Sequence, residues 1–372
     1  MNALLQPLRI GPLHLPNRIA MAPVTRARAG ANGVPTALNA HYYRQRASAG
    51  LIIAEATNVS PMSAAFEDAP GIHHADQVAG WKDVASAVHE AGGKLFVQLW
   101  HGGRISTYAL LDGAAPLSPS GMNDDLGLLQ VYGALRNGYY TRIAASPSRA
   151  MSVEEIHATV QEFRTAARHA VLAGIDGVEI HAANGYLPQQ FLSSHVNRRQ
   201  DQFGGSIENR ARFLRLIIEA VLQEMPAAQV GVRLSPFALY NNAIDAGADG
   251  PGDSDTRATY AYVAQMLNGY GIGYLHAADT NAWSGNKDMP RILEILRPHF
   301  KGVLIANGGL SFEQAEQLVV AGQADMVAFG RQYIANPDLA ARIAQGGPFN
   351  EPDPFTFYGG DDIGYTDYPA LS

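Results

Sequence analysis

Residues 181–192 read HAANGYLPQQFL and follow GIDGVEI, an apolar run with the composition of a buried strand. Within six residues the strand end presents His181, Asn184 and Tyr186. All three hydrogen-bond, and imidazole and phenol can handle protons near neutral or mildly basic pH. A polar loop leaving a strand would give the same residues without chemistry, so the other strand ends have to decide.

Two of those ends read Asn307-Gly308-Gly309 and Phe329-Gly330-Arg331. Glycines there let backbone N–H groups approach an anion, and the helix N-termini that follow add positive potential. Arg331 supplies a forked cation, so the pair points to a phosphate. Thr25, Gln98 and Arg233, at or within other candidate strands, offer hydrogen-bonding groups, two of them planar. Beside a phosphate pocket they suggest a flat heterocycle carrying a phosphate. Flavin mononucleotide (FMN) meets that description, though spacing alone does not name it.

The elements that must hold these residues form a regular beat. Candidate strands lie at 18–24, 50–59, 94–101, 176–182, 230–236, 273–279, 302–309 and 326–331. They are short, rich in Val and Ile, and lack polar alternation, the pattern of strands buried on both faces. Helices are predicted between them. Ser152 with Glu155 and Ser311 with Gln314 form capping-box patterns, and Gly174 and Gly322 stand at the stops. Segments 76–91, 206–224, 256–268 and 288–298 fill the same role. Eight evenly spaced strand–helix units favour a closed (β/α)₈ barrel over a doubly wound sheet. In such a barrel the site lies at the C-terminal ends of the strands, where all these residues fall.

The chain has 372 residues, and a barrel needs roughly 250. The surplus lies in a predicted N-terminal hairpin (1–17), in 102–151 after the third strand, and in the tail from 347. Segment 102–151 has no helical period and is expected to serve as a lid or binding loop. No linker divides the chain, so residues 1–372 are expected to form one domain. A formal charge of -7 without a Lys/Arg cluster argues against nucleic acid. The absence of cysteine excludes disulfides, thiolate nucleophiles and Cys-ligated iron–sulfur clusters. Without a signal-peptide pattern or a long apolar run, the expectation is a cytoplasmic protein with no membrane partner.

Three other functions share parts of this pattern. A Schiff-base aldolase needs a lysine at a strand end, and Lys82, Lys94, Lys287 and Lys301 do not stand there. A metal-dependent hydrolase could use Glu179 and His181, but MAPVTRAR offers no ligand on the first strand, and no metal site is expected. A flavin carrier without catalysis would have no use for Tyr186 beside a His/Asn pair.

The motifs MAPVTRARA, EATNVS, VQLWHGGR, HAANGYLPQQFLSSHVNRRQDQFGGSIENRARF, VAFGRQYIANPDL and TFYGGDDIGYTDYP resemble the Old Yellow Enzyme family, in the family's order along nearly the whole chain. The resemblance implies a single barrel binding FMN non-covalently, with NAD(P)H as reductant. The substrates it implies are enones, nitroalkenes, quinones or nitro esters, with phenol-type inhibitors and a monomer or small homo-oligomer. Carried over by position, Pro23, Val24 and Thr25 lie against the flavin, in the branch of the family that has Thr rather than Cys. Ala56, Gln98 and Arg233 hold its pyrimidine side, with Arg233 opposing the charge of the reduced ring. Asn307, Gly308, Gly309, Phe329, Gly330 and Arg331 form the phosphate end. His181 and Asn184 polarise the substrate oxygen, hydride passes from flavin N5 to the β-carbon, and Tyr186 gives a proton to the α-carbon. Phe66, Trp100, Trp283 and Tyr358 resemble pocket-lining aromatics, and Phe66 stands where relatives often have Tyr. Glu179, one pleat below His181, needs a buried partner, and Arg233 on the next strand is the expected one.

Overall fold

The computed structural model describes residues 2–137, 139–244 and 253–371. After a short 3-10 turn at Ala3–Leu5 the expected hairpin forms, β1 (Leu8–Ile10) against β2 (Leu13–Leu15). Barrel strands follow as β3 (Ile19–Met21), β4 (Leu51–Asn58) and β5 (Leu95–Trp100). After the excursion come β10 (Gly177–Ala182), β11 (Val230–Leu234), β12 (Tyr274–Ala278), β13 (Val303–Asn307) and β14 (Met326–Phe329). These eight strands close into a parallel barrel, so the fold is the (β/α)₈ barrel that the beat predicts.

Helices cover the outside. They are α1 (Ala37–Gln45), α2 (Ala75–Glu90), α3 (Val153–Leu172), α4 (Leu187–Leu192), α5 (Ile207–Arg210) and α6 (Arg212–Val221), then α7 (Asp253–Tyr270), α8 (Met289–Leu296), α9 (Phe312–Val320), α10 (Arg331–Ala335) and α11 (Leu339–Gln345). The capping boxes at Ser152–Glu155 and Ser311–Gln314 both form. Helix α3 stops at Gly174, which takes the left-handed conformation a helix end favours. Sequence reasoning missed α1, whose nine residues show only a weak amphipathic pattern. The helix expected over 206–224 is interrupted at Ala211. No described helix is long and apolar enough to cross a membrane.

The excursion 102–151 has more structure than its composition suggests. It holds β6 (Leu117–Ser118), paired with β9 (Arg149–Ala150), and the hairpin of β7 (Val131–Ala134) and β8 (Tyr140–Ile143). A buried ion pair anchors it: Arg104 donates to Asp125 at 2.6 and 2.8 Å, and Asn242 donates to the same carboxylate. Burial pushes the Asp125 carboxyl up, but these donors outweigh it and hold its pKa below the ordinary value.

Inside the barrel the floor is apolar. Ile10, Leu13 and Leu15 of the hairpin pack with Leu51, Phe96, Tyr274, Ile305 and Met326. Two rings fit because glycine stands beside each: a Cβ at Gly231 would lie 2.2 Å from the Tyr274 ring, and one at Gly177 2.3 Å from Phe96. One pleat higher the lining becomes polar, with Gln98 paired beside Glu179 and Arg233 beside His276.

Gly177 makes the packing testable. Gly177→Ala is expected to destabilise the fold by about 1–3 kcal/mol, the usual cost of overpacking a closed core. At Gly269, where a Cβ meets nothing within 4 Å, alanine is expected to be neutral or slightly stabilising. Urea unfolding of the two variants checks the contrast, and equal midpoints would contradict this account of the floor.

Candidate active site

Strand β10 ends at Ala182, and the next four residues turn the chain across the barrel mouth. Asn184 and Gly185 both take left-handed conformations, with φ of 59° and 80°. A Cβ on Gly185 would meet Asn241 Cβ at 2.5 Å, so only glycine allows this approach. Hydrogen bonds fix the turn from every side. Asn184 N–H donates to Ser235 Oγ, Gly185 N–H donates to Gln189 Oε1, and Asn241 Nδ2 donates to the Asn184 carbonyl. Gln190 Nε2 donates to the carbonyls of Gly102 and Gly185. Gln189, Gln190, Ser235 and Asn241 thus position the site, yet sequence reasoning assigned them nothing. The paired glutamines at the start of a buried helix were the available signal.

The turn brings His181 and Tyr186 together, with ring centroids 4.8 Å apart at 75°. Tyr186 also meets Trp100 edge-on at 5.1 Å. His181 Nδ1 accepts the Ala183 N–H at 3.3 Å, which leaves the ring proton on Nε2 as a free donor. Burial, with Arg233 and His276 nearby, pushes the His181 pKa well below its ordinary value, so the ring stays neutral. Burial likewise raises the Tyr186 phenol, which therefore keeps its proton at neutral pH. The Asn184 amide oxygen is buried without a partner among the described residues.

Below this turn lies the polar layer. Glu179 Oε1 accepts from Gln98 Nε2 at 2.7 Å, and Oε2 lies 2.8 Å from His276 Nδ1. Arg233 Nη1 lies 3.3 Å from His276 Nε2, and Nη2 donates to Asn307 Oδ1 at 2.9 Å. The expected direct pair of Glu179 and Arg233 is therefore corrected. His276 stands between them, because its imidazole reaches from β12 across β11 and accepts where a carboxylate would have had to. Burial alone would raise the Glu179 carboxyl, but His276, Arg233 and Gln98 overcome it and hold it ionised. Arg233 Nε is buried without a partner among the described residues.

The remaining expected cofactor residues occupy the same mouth. Pro23, Val24 and Thr25 are half-buried just past β3, and Ala56 is buried. Asn307 Nδ2 donates to the Ala328 carbonyl, tying β13 to β14. Gly308 packs against Asp279, Gly309 has a φ of 61°, and Gly330 approaches Val24. Arg331 is exposed and has no hydrogen-bond or ion-pair partner among the described residues. The Phe329 ring points outward, 5.2 Å from Phe312, so this residue can offer only its backbone.

Above lies an aromatic wall. Phe66 stacks on Tyr132 at 4.8 Å and lies 5.7 Å from Tyr358 and 6.1 Å from Trp100. Tyr140 stacks on Tyr358 at 5.8 Å. Tyr132 and Tyr140 come from the β7–β8 hairpin, so the excursion does reach the mouth. Trp283 stands apart from this wall, 53% exposed and edge-on to Tyr240. The tail carrying Tyr358 is clasped from below: Arg26 donates to the carbonyls of Thr356, Phe357 and Gly364, and Arg28 to those of Thr356, Asp361 and Ile363.

Residues 3–350 match the model of the NADH:flavin oxidoreductase / NADH oxidase family. The chain is 38% identical over 375 residues to a Leishmania infantum protein named "Probable flavin mononucleotide-dependent alkene reductase", covering 100% of this chain and 98% of that one. It superposes on morphinone reductase in complex with tetrahydroNAD with a TM-score of 0.91, at 43% identity and 100% and 98% coverage. An Old Yellow Enzyme homologue from Zymomonas mobilis gives a TM-score of 0.90, at 38% identity and 99% and 100% coverage.

The buried histidines have a consequence for stability. An unfolded chain protonates its imidazoles near pH 6.5. In the fold His181 and His276 are depressed, and burial pushes His101 down to about 3. Between the two pKa values the unfolded state holds more protons, so this stabilisation is complete above about pH 6.5 and declines as pH falls. Each histidine contributes a slope of up to roughly 1.4 kcal/mol per pH unit. Urea midpoints are expected to drop between pH 7 and 5, and His101→Asn to flatten the drop. A midpoint independent of pH would count against neutral burial.

Proposed function

The chain belongs to the NADH:flavin oxidoreductase / NADH oxidase family, and on that premise we propose how its residues serve an FMN-dependent ene-reductase of the Old Yellow Enzyme type. FMN supplies the redox chemistry, receiving electrons from NAD(P)H and delivering them to an activated C=C bond. The protein supplies binding, orientation and a proton. The whole chain serves as one FMN-binding unit, a reading supported by the hairpin that plugs the barrel floor and the tail that joins the wall over its mouth.

Residues present at the mouth fit FMN. The orphaned Arg233 Nε suits an electron-rich heterocycle edge. Gln98 and Arg233 would hold that edge, Pro23, Val24, Thr25 and Ala56 would lie along the ring, and Arg233 would oppose developing negative charge. Gly308, Gly309, Gly330 and Arg331 would take the phosphate, with Asn307 joining their strands and Phe329 lending only backbone.

One observation carries the catalytic reading: a neutral imidazole with a free Nε2–H, an amide and a protonated phenol converge on one turn over the polar layer. His181 Nε2–H and the Asn184 amide donate to the carbonyl or nitro oxygen of the substrate and draw charge onto it. Tyr186 holds the proton that the α-carbon needs. Trp100, Phe66 and Tyr358 form one wall that would keep water from the mouth, which suits flat enones, nitroalkenes, quinones and nitro esters, and phenol-type inhibitors. Trp283 at the rim would touch only the outer part of a large substrate.

Two variants separate these roles. Tyr186→Phe is expected to leave flavin reduction by NAD(P)H nearly unchanged while slowing enone reduction about 10²-fold or more, the loss typical of a general acid. Stopped-flow absorbance at the flavin band resolves the two halves, and equal slowing would make Tyr186 structural. Arg331→Ala is expected to weaken FMN by roughly 1.5–3 kcal/mol and to leave riboflavin, which lacks the phosphate, almost unaffected. Titrating both flavins into the stripped full-length chain measures this, and equal losses would refute a phosphate role.

A further inference from the structure

Glu179 has no assigned role in the reaction, yet the hydrogen bonds around it can be arranged in only one way. Arginine donates and never accepts, so His276 Nε2, 3.3 Å from Arg233 Nη1, must be the acceptor. The His276 proton therefore sits on Nδ1 and points at Glu179 Oε2, 2.8 Å away. An ionised carboxylate only accepts, so Gln98 must offer its NH₂ to Glu179 Oε1 at 2.7 Å. That turns the Gln98 carbonyl oxygen away from Glu179, and it has no partner among the described residues. On the far side Arg233 Nη2 donates to Asn307, and Asn307 donates onward to the Ala328 carbonyl.

We propose that Glu179 is a positioning residue that sets the donor–acceptor polarity of the flavin-facing layer. Its carboxylate turns Gln98 to present an acceptor, and through His276 it holds Arg233 as a donor. The pyrimidine edge of a flavin carries an N3–H donor flanked by carbonyl acceptors, the complement of such a layer. The inference rests on the FMN reading above. A neutral amide at position 179 cannot accept on both sides, so either Gln98 or His276 would have to turn over. The first change removes the acceptor, and the second sets an N–H against the Arg233 guanidinium.

The test uses the full-length chain, with FMN and riboflavin as probes and ¹⁵N NMR as a second readout. In wild type, His276 is expected as the Nδ1–H tautomer, and the N3–H of bound ¹⁵N-FMN as a slowly exchanging proton. Glu179→Gln is expected to lose at least about ten-fold in affinity for both flavins alike, since they share this edge, with N3–H exchange at least about ten-fold faster. Arg331→Ala, by contrast, should lose FMN alone. An Nε2–H tautomer in wild-type His276 overturns the proposal without any variant, so a Glu179→Gln chain that fails to fold does not shield it. Unchanged flavin affinity and N3–H exchange in Glu179→Gln overturn it as well. A wild-type chain that binds neither flavin overturns the FMN reading and this inference with it.

Discussion

A carboxylate sealed inside a barrel is the constraint on which the rest of the site depends. Glu179 is fully buried, and an ionised carboxylate in such a place is tolerated only with donors on both oxygens. Those donors come from strands on either side, Gln98 on β5 and His276 on β12. His276 in turn engages Arg233, and Arg233 engages Asn307. One costly group thus organises a polar layer across much of the barrel. The apolar floor below and the hydrogen-bonded turn above isolate that layer from bulk water.

The turn proposed to carry the chemistry is held in place for a related reason. Its backbone takes left-handed conformations at Asn184 and Gly185, and side-chain hydrogen bonds from Gln189, Gln190 and Asn241 make them secure. Catalysis by polarising an oxygen needs donors that are already aimed, since reorganisation at the moment of reaction would cost part of the benefit. Here the neutral His181 ring is oriented by a backbone N–H two residues on. Its lowered pKa follows from burial and the neighbouring Arg233 charge, so the layer below also keeps the histidine a donor rather than a cation.

The barrel strands and their order were legible because strands buried on both faces leave an unmistakable apolar rhythm. His181, Asn184 and Tyr186 stand out as candidates because polar residues at the end of such a strand are conspicuous, and the structure brings them to one turn. Segment 102–151 was harder to read, since its hairpin gains stability from Phe66 and Tyr358, which lie far away in sequence. Helix α1 was missed because its burial comes from packing on α2 and its own periodicity is faint. His276 was overlooked for a different reason. A lone histidine in an apolar strand says nothing until the register sets it beside Arg233 and across from Glu179. Partners across strands are tertiary facts, and only closure of the barrel supplies them.

The clasp on the tail bears on how such a pocket can change over generations. Arg26 and Arg28 grip residues 356–364 by main-chain oxygens, which every amino acid provides. This grip is therefore indifferent to the side chains of the residues it holds, while the buried ring of Tyr365, stacked on Tyr42 just beyond them, anchors the end of the strap. Position 358 can be exchanged without loosening the strap that carries it, so the wall it contributes can be reshaped while its mounting stays the same. In this arrangement inheritance of the scaffold and divergence of the wall over its mouth are separate matters, written in different atoms of the same few residues.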